Sequence, residues 1–533
     1  MYLIDQHTKK IMEECKVRAR DAGLVFDDET LEYIVTNKDM IELSPKNMIP
    51  TLYDYWVNDV EVLQGKGKYK LYPNNPYETV INSRPAISFY NDNNPDWLNI
   101  MIFYHVLGHI DFFQNNILFE KTWNDDFVGQ ALADKRLVEN LRSEHGRWVD
   151  YVIEFSRCID NITGYFESLP KYDYSGDSRT SNKLSFYFEG FLQETVKASE
   201  HIIFKEIERY NQLAEKNKDQ AESIFFGEVK TKYPEFESKF EKQDFKKEHF
   251  TDILEFIRDK SPFLSKEKNT WMKPVMTIVR NTSLYFGPQI RTKIINEGWA
   301  SYWHDELFRK DNRIEGHEVG YANINSGVTS INRIGLNPYA IGMRLVQHVE
   351  SNANKGKLGF DFQKIEDIEK RNDFNRYTGK GKEAIFDLRK NFSDYMLINT
   401  FTDQDFIDEH DLFVVGKRLN EEKGTVEYYI KSRKAADYKQ MLIDSLYHPP
   451  RIVVDQDKTD EDSLYLRHYF EGKQIYKNYI PDTLLGIEYL WGGRVHLETT
   501  EIVKSTSSEG KIGYKLVKVV YTAYERKVTK ETL

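Results

Sequence analysis

Cysteine is nearly absent: Cys15 and Cys158 are the only two in 533 residues. Two such distant thiols cannot build a disulfide framework, and neither has metal-finger spacing. A reducing cytoplasm is the compartment that fits this usage. Long apolar runs are missing too. No stretch approaches about 18 consecutive apolar residues, so no membrane-spanning helix is expected. The start, Met1-Tyr2-Leu3-Ile4-Asp5-Gln6-His7, lacks a basic segment followed by an apolar one, which argues against a secretory signal. Positive charge is not in excess: 74 Lys and Arg stand against 85 Asp and Glu, a formal net charge of −11. That balance argues for a soluble protein and against a nucleic-acid groove as the main function. Gly65-Lys66-Gly67-Lys68-Tyr69-Lys70 lacks the G-K-[ST] ending and the strand–loop–helix setting of a phosphate loop, so it reads as a basic surface turn. No G-x-S-x-G occurs and neither cysteine has an evident histidine partner, so nucleophilic hydrolase chemistry has little support.

What is present is length and aromatic mass. A chain of this size can bury a large core and form two or more domains. With 34 Tyr and 32 Phe, that core should be rich in rings. A mixed helical pattern runs over residues 6–24, and Asp27-Asp28-Glu29-Thr30 predicts a helix from Leu31. Residues 48–56 are aromatic and interrupted by Pro50, the pattern of an ordered loop. Between Tyr77 and Tyr90, β-branched residues flank Asn82-Ser83-Arg84-Pro85 and predict a short strand or hairpin against the helix that follows. Asn94-Pro95-Asp96 supplies an N-cap, a proline at the first helical position and an early acid, opening a helix over residues 95–115.

Residues 125–167 read as one or two helices, with Asp150 and Glu154 one turn apart. They form either a solvated acidic face or a carboxylate pair facing a site. Another helical region runs from Leu184 to about Lys216, and residues 205–250 read as a solvent-facing insert of mixed Lys and Glu with scattered Phe. A helix through Trp271 to Arg280 should break at Tyr285-Phe286-Gly287-Pro288-Gln289. A second helix, with Ile295, Trp299, Tyr302 and Trp303 on a buried side, then runs to His304. Gly298 inside it costs about 1 kcal/mol relative to Ala, which a close contact on that side could justify. Residues 318–336 read as a long polar loop. Asn337-Pro338 caps a helix carrying Tyr339, Arg344 and His348. Beyond about Phe401 short strand-like runs take over, ending in a hairpin about Ser508-Glu509-Gly510. The expected architecture is mainly α over residues 1–400, followed by a small α+β domain over 401–533.

The stretch Tyr104-His105-Val106-Leu107-Gly108-His109 organises this reading. Histidines four apart leave one face of a helix, a turn from each other, so one metal ion can accept both. The spacing is that of H-E-x-x-H, with Val106 where the glutamate base stands. Zinc in a catalytic site takes three protein ligands and leaves a fourth position to water. Glu297, in Asn296-Glu297-Gly298-Trp299-Ala300, is the expected third ligand, since Asn-Glu before a small residue resembles the third-ligand helix of Glu-liganded zinc peptidases. His304, two turns on, is a fourth ligand, an outer partner or a proton donor. Without a glutamate at 106, Asp111, Glu78, Asp150, Glu154 and His304 are the candidates for a general base, and the sequence does not choose among them. His348, His410, His448, His468 and His496 lack partners at ligand spacing. Paired Glu-x-x-His motifs, which a di-metal carboxylate centre needs, are missing.

The ordered matches Met48-Ile49-Pro50, Tyr77-Glu78, Val80-Ile81-Asn82-Ser83, His105-Val106-Leu107 with His109, Asp111-Phe112-Phe113, Ser283 to Phe286, Asn296 to His304, Asn337-Pro338-Tyr339, Leu466 with His468, and Leu490-Trp491-Gly492 with Val495 to Glu498 resemble the SpoVR family. Gln114 replaces an expected Lys, the insert at 205–250 fits poorly, and the tail after about 500 adds a hairpin. The resemblance implies a bacterial or archaeal cytoplasmic protein tied to sporulation or stress physiology and associated with a PrkA-like serine kinase. The combined expectation is a zincin-like helical core holding Zn²⁺, or another divalent transition metal such as iron or manganese, on His105, His109 and Glu297. His304, Asp111 and Glu78 are the expected catalytic groups, for hydrolysis of a peptide or amide bond. The alternative is a non-catalytic metal-binding scaffold acting within the kinase complex.

Overall fold

In the computed structural model, which describes residues 2–36, 39, 78–123, 126–163, 182–196, 198, 206–207, 209–210, 213, 220–241, 252–359, 362, 364–365, 367–420, 424–506 and 512–533, the central helix spans Asp96–Asn115. The aromatic loop expected at 48–56 and the basic turn at 65–70 lie outside the described residues. Every residue of the central helix from Leu98 to Phe113 is buried. A helix apolar on all sides must be enclosed on all sides. Its cap is Pro95, one residue later than Asn94: Pro95 is extended (φ −69°, ψ 159°) and makes no side-chain cap bond, while its carbonyl accepts from Leu98 and Asn99 N–H.

Helices enclose it in a row. The helix Gln6–Asp21 packs on one side and Lys293–Phe308 on another; Pro338–Lys355 packs on Lys293–Phe308, and Gly381–Asn391 on Pro338–Lys355. Glycine sets the spacing. A Cβ on Gly108 would lie 2.8 Å from the Ala300 Cα, and one on Gly298 would lie 2.2 Å from the Gly342 carbonyl carbon. The close contact that Gly298 called for is therefore a helix crossing, backbone against backbone. Lys293–Phe308 has no side-chain cap of its own. Asp394 closes its start instead, accepting from Ile294 N–H at 2.9 Å and Ile295 N–H at 2.8 Å.

A four-stranded sheet in the order β1-β2-β4-β3 flanks the central helix, with β1 Tyr2–Leu3, β2 Thr30–Val35, β3 Glu78–Ile81 and β4 Ala86–Asn91. The β3–β4 hairpin is the one expected there. The helix expected from Leu31 is a strand, β2, parallel to β4. Its Thr-Leu-Glu-Tyr-Ile-Val sequence is β-branched and aromatic, and those preferences outweigh the acidic start signal.

Two other expectations change. Met272–Arg291 runs unbroken through Tyr285 to Gln289, and the break falls at Thr292. Pro288 sits in the last turn, where it removes one intrahelical bond shortly before the helix ends, and the Thr292 hydroxyl donates to its carbonyl at 2.7 Å. The polar stretch 318–336 contains a helix, Glu318–Thr329, whose buried face is Tyr321, Asn325 and Thr329 at i, i+4 and i+8. Its buried stripe is polar, which hides it from a hydrophobic-period reading.

Toward the C-terminus, β5 Val414–Asn420 pairs with β6 Thr425–Ser432. A five-stranded sheet, β11-β10-β9-β8-β7, comprises β7 Arg451–Val454, β8 Ser463–Tyr469, β9 Arg494–Thr506, β10 Ile512–Tyr524 and β11 Lys527–Thr532. The β9–β10 hairpin is as expected, its turn lying outside the described residues. Parallel β8 and β9 are joined through the helix Ile480–Trp491, which packs on Trp148–Arg157. The fold is thus mostly helical with a smaller sheet-containing C-terminal region. No helix among the described residues is long and apolar enough to cross a membrane.

The chain forms two compact units, Met1–Ser168 with Thr251–Leu533, and Leu169–Phe250. In the second, Leu184, Tyr187, Phe191, Leu192, Phe225, Phe226, Val229 and Phe236 form a buried cluster. The Phe residues scattered through the charged stretch are its core, so only the charges of that stretch behave as a solvent-facing insert.

Candidate metal centre

His105 and His109 project from the central helix toward the helix Lys293–Phe308. Their Nε2 atoms are 3.1 Å apart. The Glu297 Oε2 lies 3.5 Å from the His109 Nε2 and 3.9 Å from the His105 Nε2. These three are the group among the described residues whose ligand atoms fall within 4.8 Å of one another. Both imidazoles are buried, and the Glu297 side chain is 18% exposed.

The other ring nitrogens are held from outside. His109 Nδ1 meets the Asn296 Oδ1 at 2.9 Å. His105 Nδ1 meets the His304 Nδ1 at 2.9 Å, and the Ala300 carbonyl accepts at the same ring. His304 Nε2 meets the Asn325 Oδ1 at 2.9 Å. The Asn325 amide donates to the Asp305 Oδ1 at 3.2 Å, and that oxygen also accepts from Tyr321 OH at 2.5 Å and Arg309 Nε at 2.9 Å.

This network assigns the tautomers. Asp305 accepts, so Asn325 turns its amide to Asp305 and its oxygen to His304. That oxygen accepts, so the His304 Nε2 carries the proton and its Nδ1 is bare. The bare Nδ1 accepts from His105 Nδ1–H, which leaves the His105 Nε2 as a lone pair. Asn296 does the same for His109. Burial, His109 and His304 push His105 well below the usual imidazole range, which keeps the ring neutral. His304 is pushed down too, chiefly by burial. Two lone pairs and a carboxylate oxygen therefore converge with no donor among them. Such a set is of the type that one cation accepts as ligands.

Of the other expected site residues, His304 orients His105 and has both nitrogens engaged. Asp111 lies on another side of the central helix. It accepts from Val25 N–H at 2.8 Å and Trp299 Nε1–H at 2.9 Å, and pairs with Arg389 at 3.3 Å. Burial raises its carboxyl to about 6. Glu78 is in β3 opposite Tyr90, and its side chain lies outside the described residues. Asp150 is held by Arg142 Nε at 2.9 Å and Nη2 at 2.6 Å. Burial raises the Glu154 carboxyl. Val106 is fully buried in the core. Sequence reasoning missed Asp305, Tyr321 and Asn325. The signal was the spacing Tyr321, Asn325, Thr329, passed over when their helix was read as a loop.

A family model described as "SpoVR like protein" matches residues 4–448. It starts earlier than the local matches and stops before those at Leu466 to Glu498. An uncharacterized protein, YcgB, of Escherichia coli strain K12 is 24% identical over 331 residues, covering 60% of this chain and 58% of that protein. The chain thus spans less than two thirds of that relative's length. No solved structure gives a significant match.

Proposed function

The chain belongs to the SpoVR family, and on that premise we propose that His105, His109 and Glu297 hold one divalent transition metal, zinc first, in a zincin-like cytoplasmic centre that hydrolyses a peptide or amide bond. The observation carrying this reading is the convergence of two imidazole Nε2 atoms, whose outer Nδ1 atoms already have partners, with one carboxylate oxygen. Their separations of 3.1, 3.5 and 3.9 Å bracket the edge of about 3.3 Å that a tetrahedron with bonds of ~2 Å requires. Three protein ligands leave one position open, the pattern of catalytic and not of closed structural sites. A metal there would supply Lewis acidity and a bound water of lowered pKa. Asn296 and His304 orient the imidazoles and place the ring protons on Nδ1, with Nε2 toward Glu297.

A second reading has its own support. Val106 is sealed in the core, Asp111 is committed to Arg389, and His304 has both nitrogens engaged. No base beside the ligands has been identified among these residues. That favours a metal-stabilised regulatory scaffold, with a PrkA-like serine kinase as its partner.

Purified protein loaded with metal and dialysed should retain one zinc per chain. Cobalt in its place should give the intense visible absorption of a low-symmetry site. His109→Ala and Glu297→Gln should lose the metal while keeping wild-type helicity. Wild type that holds no metal after loading would overturn the proposal. Turnover of amide substrates by loaded, but not chelated, protein separates the hydrolase from the scaffold. Asn325→Ala, which removes no ligand, should weaken metal affinity about 10–100-fold by freeing the His304 tautomer. Unchanged affinity there would mean that this outer chain of hydrogen bonds, His304–Asn325–Asp305, does not act.

A further inference from the structure

Beside the outer chain lies a cavity of about 830 Å³ between the helix Glu318–Thr329, the end of Lys293–Phe308 and Arg344 of Pro338–Lys355. Arg344 is half-buried there. Its Nη1 donates to the Thr329 carbonyl at 2.8 Å and the Ala340 carbonyl at 3.1 Å. That uses both Nη1 hydrogens. Among the described residues no carboxylate pairs with Arg344, and its Nε and Nη2 are not among the buried polar atoms sealed from solvent. The Nε–Nη2 edge is the one that grips a carboxylate or phosphate with two parallel bonds. Burial pushes the guanidinium below its usual range, and no anion offsets the shift.

The remaining charges on the wall are placed unevenly. Arg309 is paired with Asp305, Lys310 with Glu306, and Asp311 with Arg313. Glu315 and Glu318 lie near the start of the helix Glu318–Thr329, whereas Thr329, Ser330 and Arg344 gather at its end. Eleven residues of helix separate those ends, roughly 16 Å. The acids therefore lie away from the Arg344 end, where the positive charge is the guanidinium itself, set against the carbonyls of the helix C-terminus. Ser326 is exposed on the same wall, and Asn325 lies in it.

We propose that this cavity binds a small ligand bearing a carboxylate or phosphate, gripped by the free edge of Arg344 and bordered by Ser326 and Ser330, whose hydroxyls donate to the Asn323 and Gly327 carbonyls. The site stands independently of the metal proposal, because none of its donors is a ligand residue. It nonetheless abuts the outer chain: Asn325 is both cavity wall and the acceptor of His304 Nε2–H.

Calorimetric titration of the full chain, chelated and metal-loaded, tests it with three probes: inorganic phosphate, N-acetyl-dialanine and the C-terminal amide of that dipeptide. Phosphate binding without the peptide acid identifies a phosphoryl ligand; binding of the acid but not the amide identifies a carboxylate. In either case Arg344→Gln should weaken the probe at least about tenfold. Ser326→Trp, which places an indole in the cavity from an exposed position, should weaken the same probe in a stably folded protein. The proposal is overturned if no probe binds, if the amide binds as well as the acid, or if a bound probe is indifferent to both substitutions.

Discussion

Gly298→Ala is expected to destabilise the protein by more than about 3 kcal/mol, with most of the variant recovered insoluble. The added methyl would meet only backbone: the Gly342 carbonyl carbon at 2.2 Å, its Cα at 2.5 Å and the Met343 nitrogen at 2.6 Å. No rotamer change can relieve such contacts, so the two helices must separate. Their separation opens the tightest seam in the core, next to the buried rings of Trp299, Tyr302 and Trp303. Gly342→Ala should be as damaging, since its Cβ would sit 2.0 Å from the Ile294 carbonyl oxygen. Gly287→Ala is the control. It is also helical, its nearest neighbour would be the Arg291 Nη2 at 3.9 Å, and it should be neutral or stabilising by up to about 1 kcal/mol. Denaturant melts of the three variants check this ordering. Wild-type stability in Gly298→Ala would mean that the helices do not cross where described.

Asp111→Ala should cost about 3–5 kcal/mol near neutral pH. The carboxylate is fully buried, and its loss leaves Arg389, itself 9% exposed at the side chain, as an uncompensated charge. Val25 N–H and Trp299 Nε1–H lose their acceptor at the same time. The pH dependence has a definite sign. Burial holds the folded carboxyl at about 6, above its unfolded value, so the folded state binds the proton more tightly. The contribution from this group is full below pH ~4 and is lost as pH rises through about 6. Wild type should therefore show a declining stability component across that window, and Asp111→Ala should lack it. Paired chemical melts at pH 4, 5, 6 and 7 would read the difference; parallel profiles would refute it.

How far the sequence reached can be judged from particular residues. The central helix was legible because its apolar run is long and an Asn-Pro-Asp start precedes it, and the ends came within one residue. The grouping of His105, His109 and Glu297 was legible because four-residue spacing fixes one face, and a second helix offered one carboxylate near its start. Which carboxylates stay away from that group was not legible. Asp111 is two residues from His109, yet two residues turn a helix by more than half a circle, and its partners Val25 and Arg389 come from distant segments. The outer chain was hidden for a related reason. Asn325 and Tyr321 bury a polar face, and a periodic reading keyed to apolar residues passes over it. At Leu31, strand propensity outweighed a local acidic start signal, a contest that pairing with β4 resolves.

The enclosed central helix also sets a schedule. Its partners in Lys293–Phe308 and Pro338–Lys355 emerge from the ribosome on the order of 200 residues later, which at about 5–20 residues per second means roughly 10–40 s. Throughout that interval Leu98 to Phe113 have no completed core to enter. Folding of the nascent chain is therefore limited by the arrival of residues past 293, and a ribosome stalled before them leaves a sticky, half-built core for chaperones to hold.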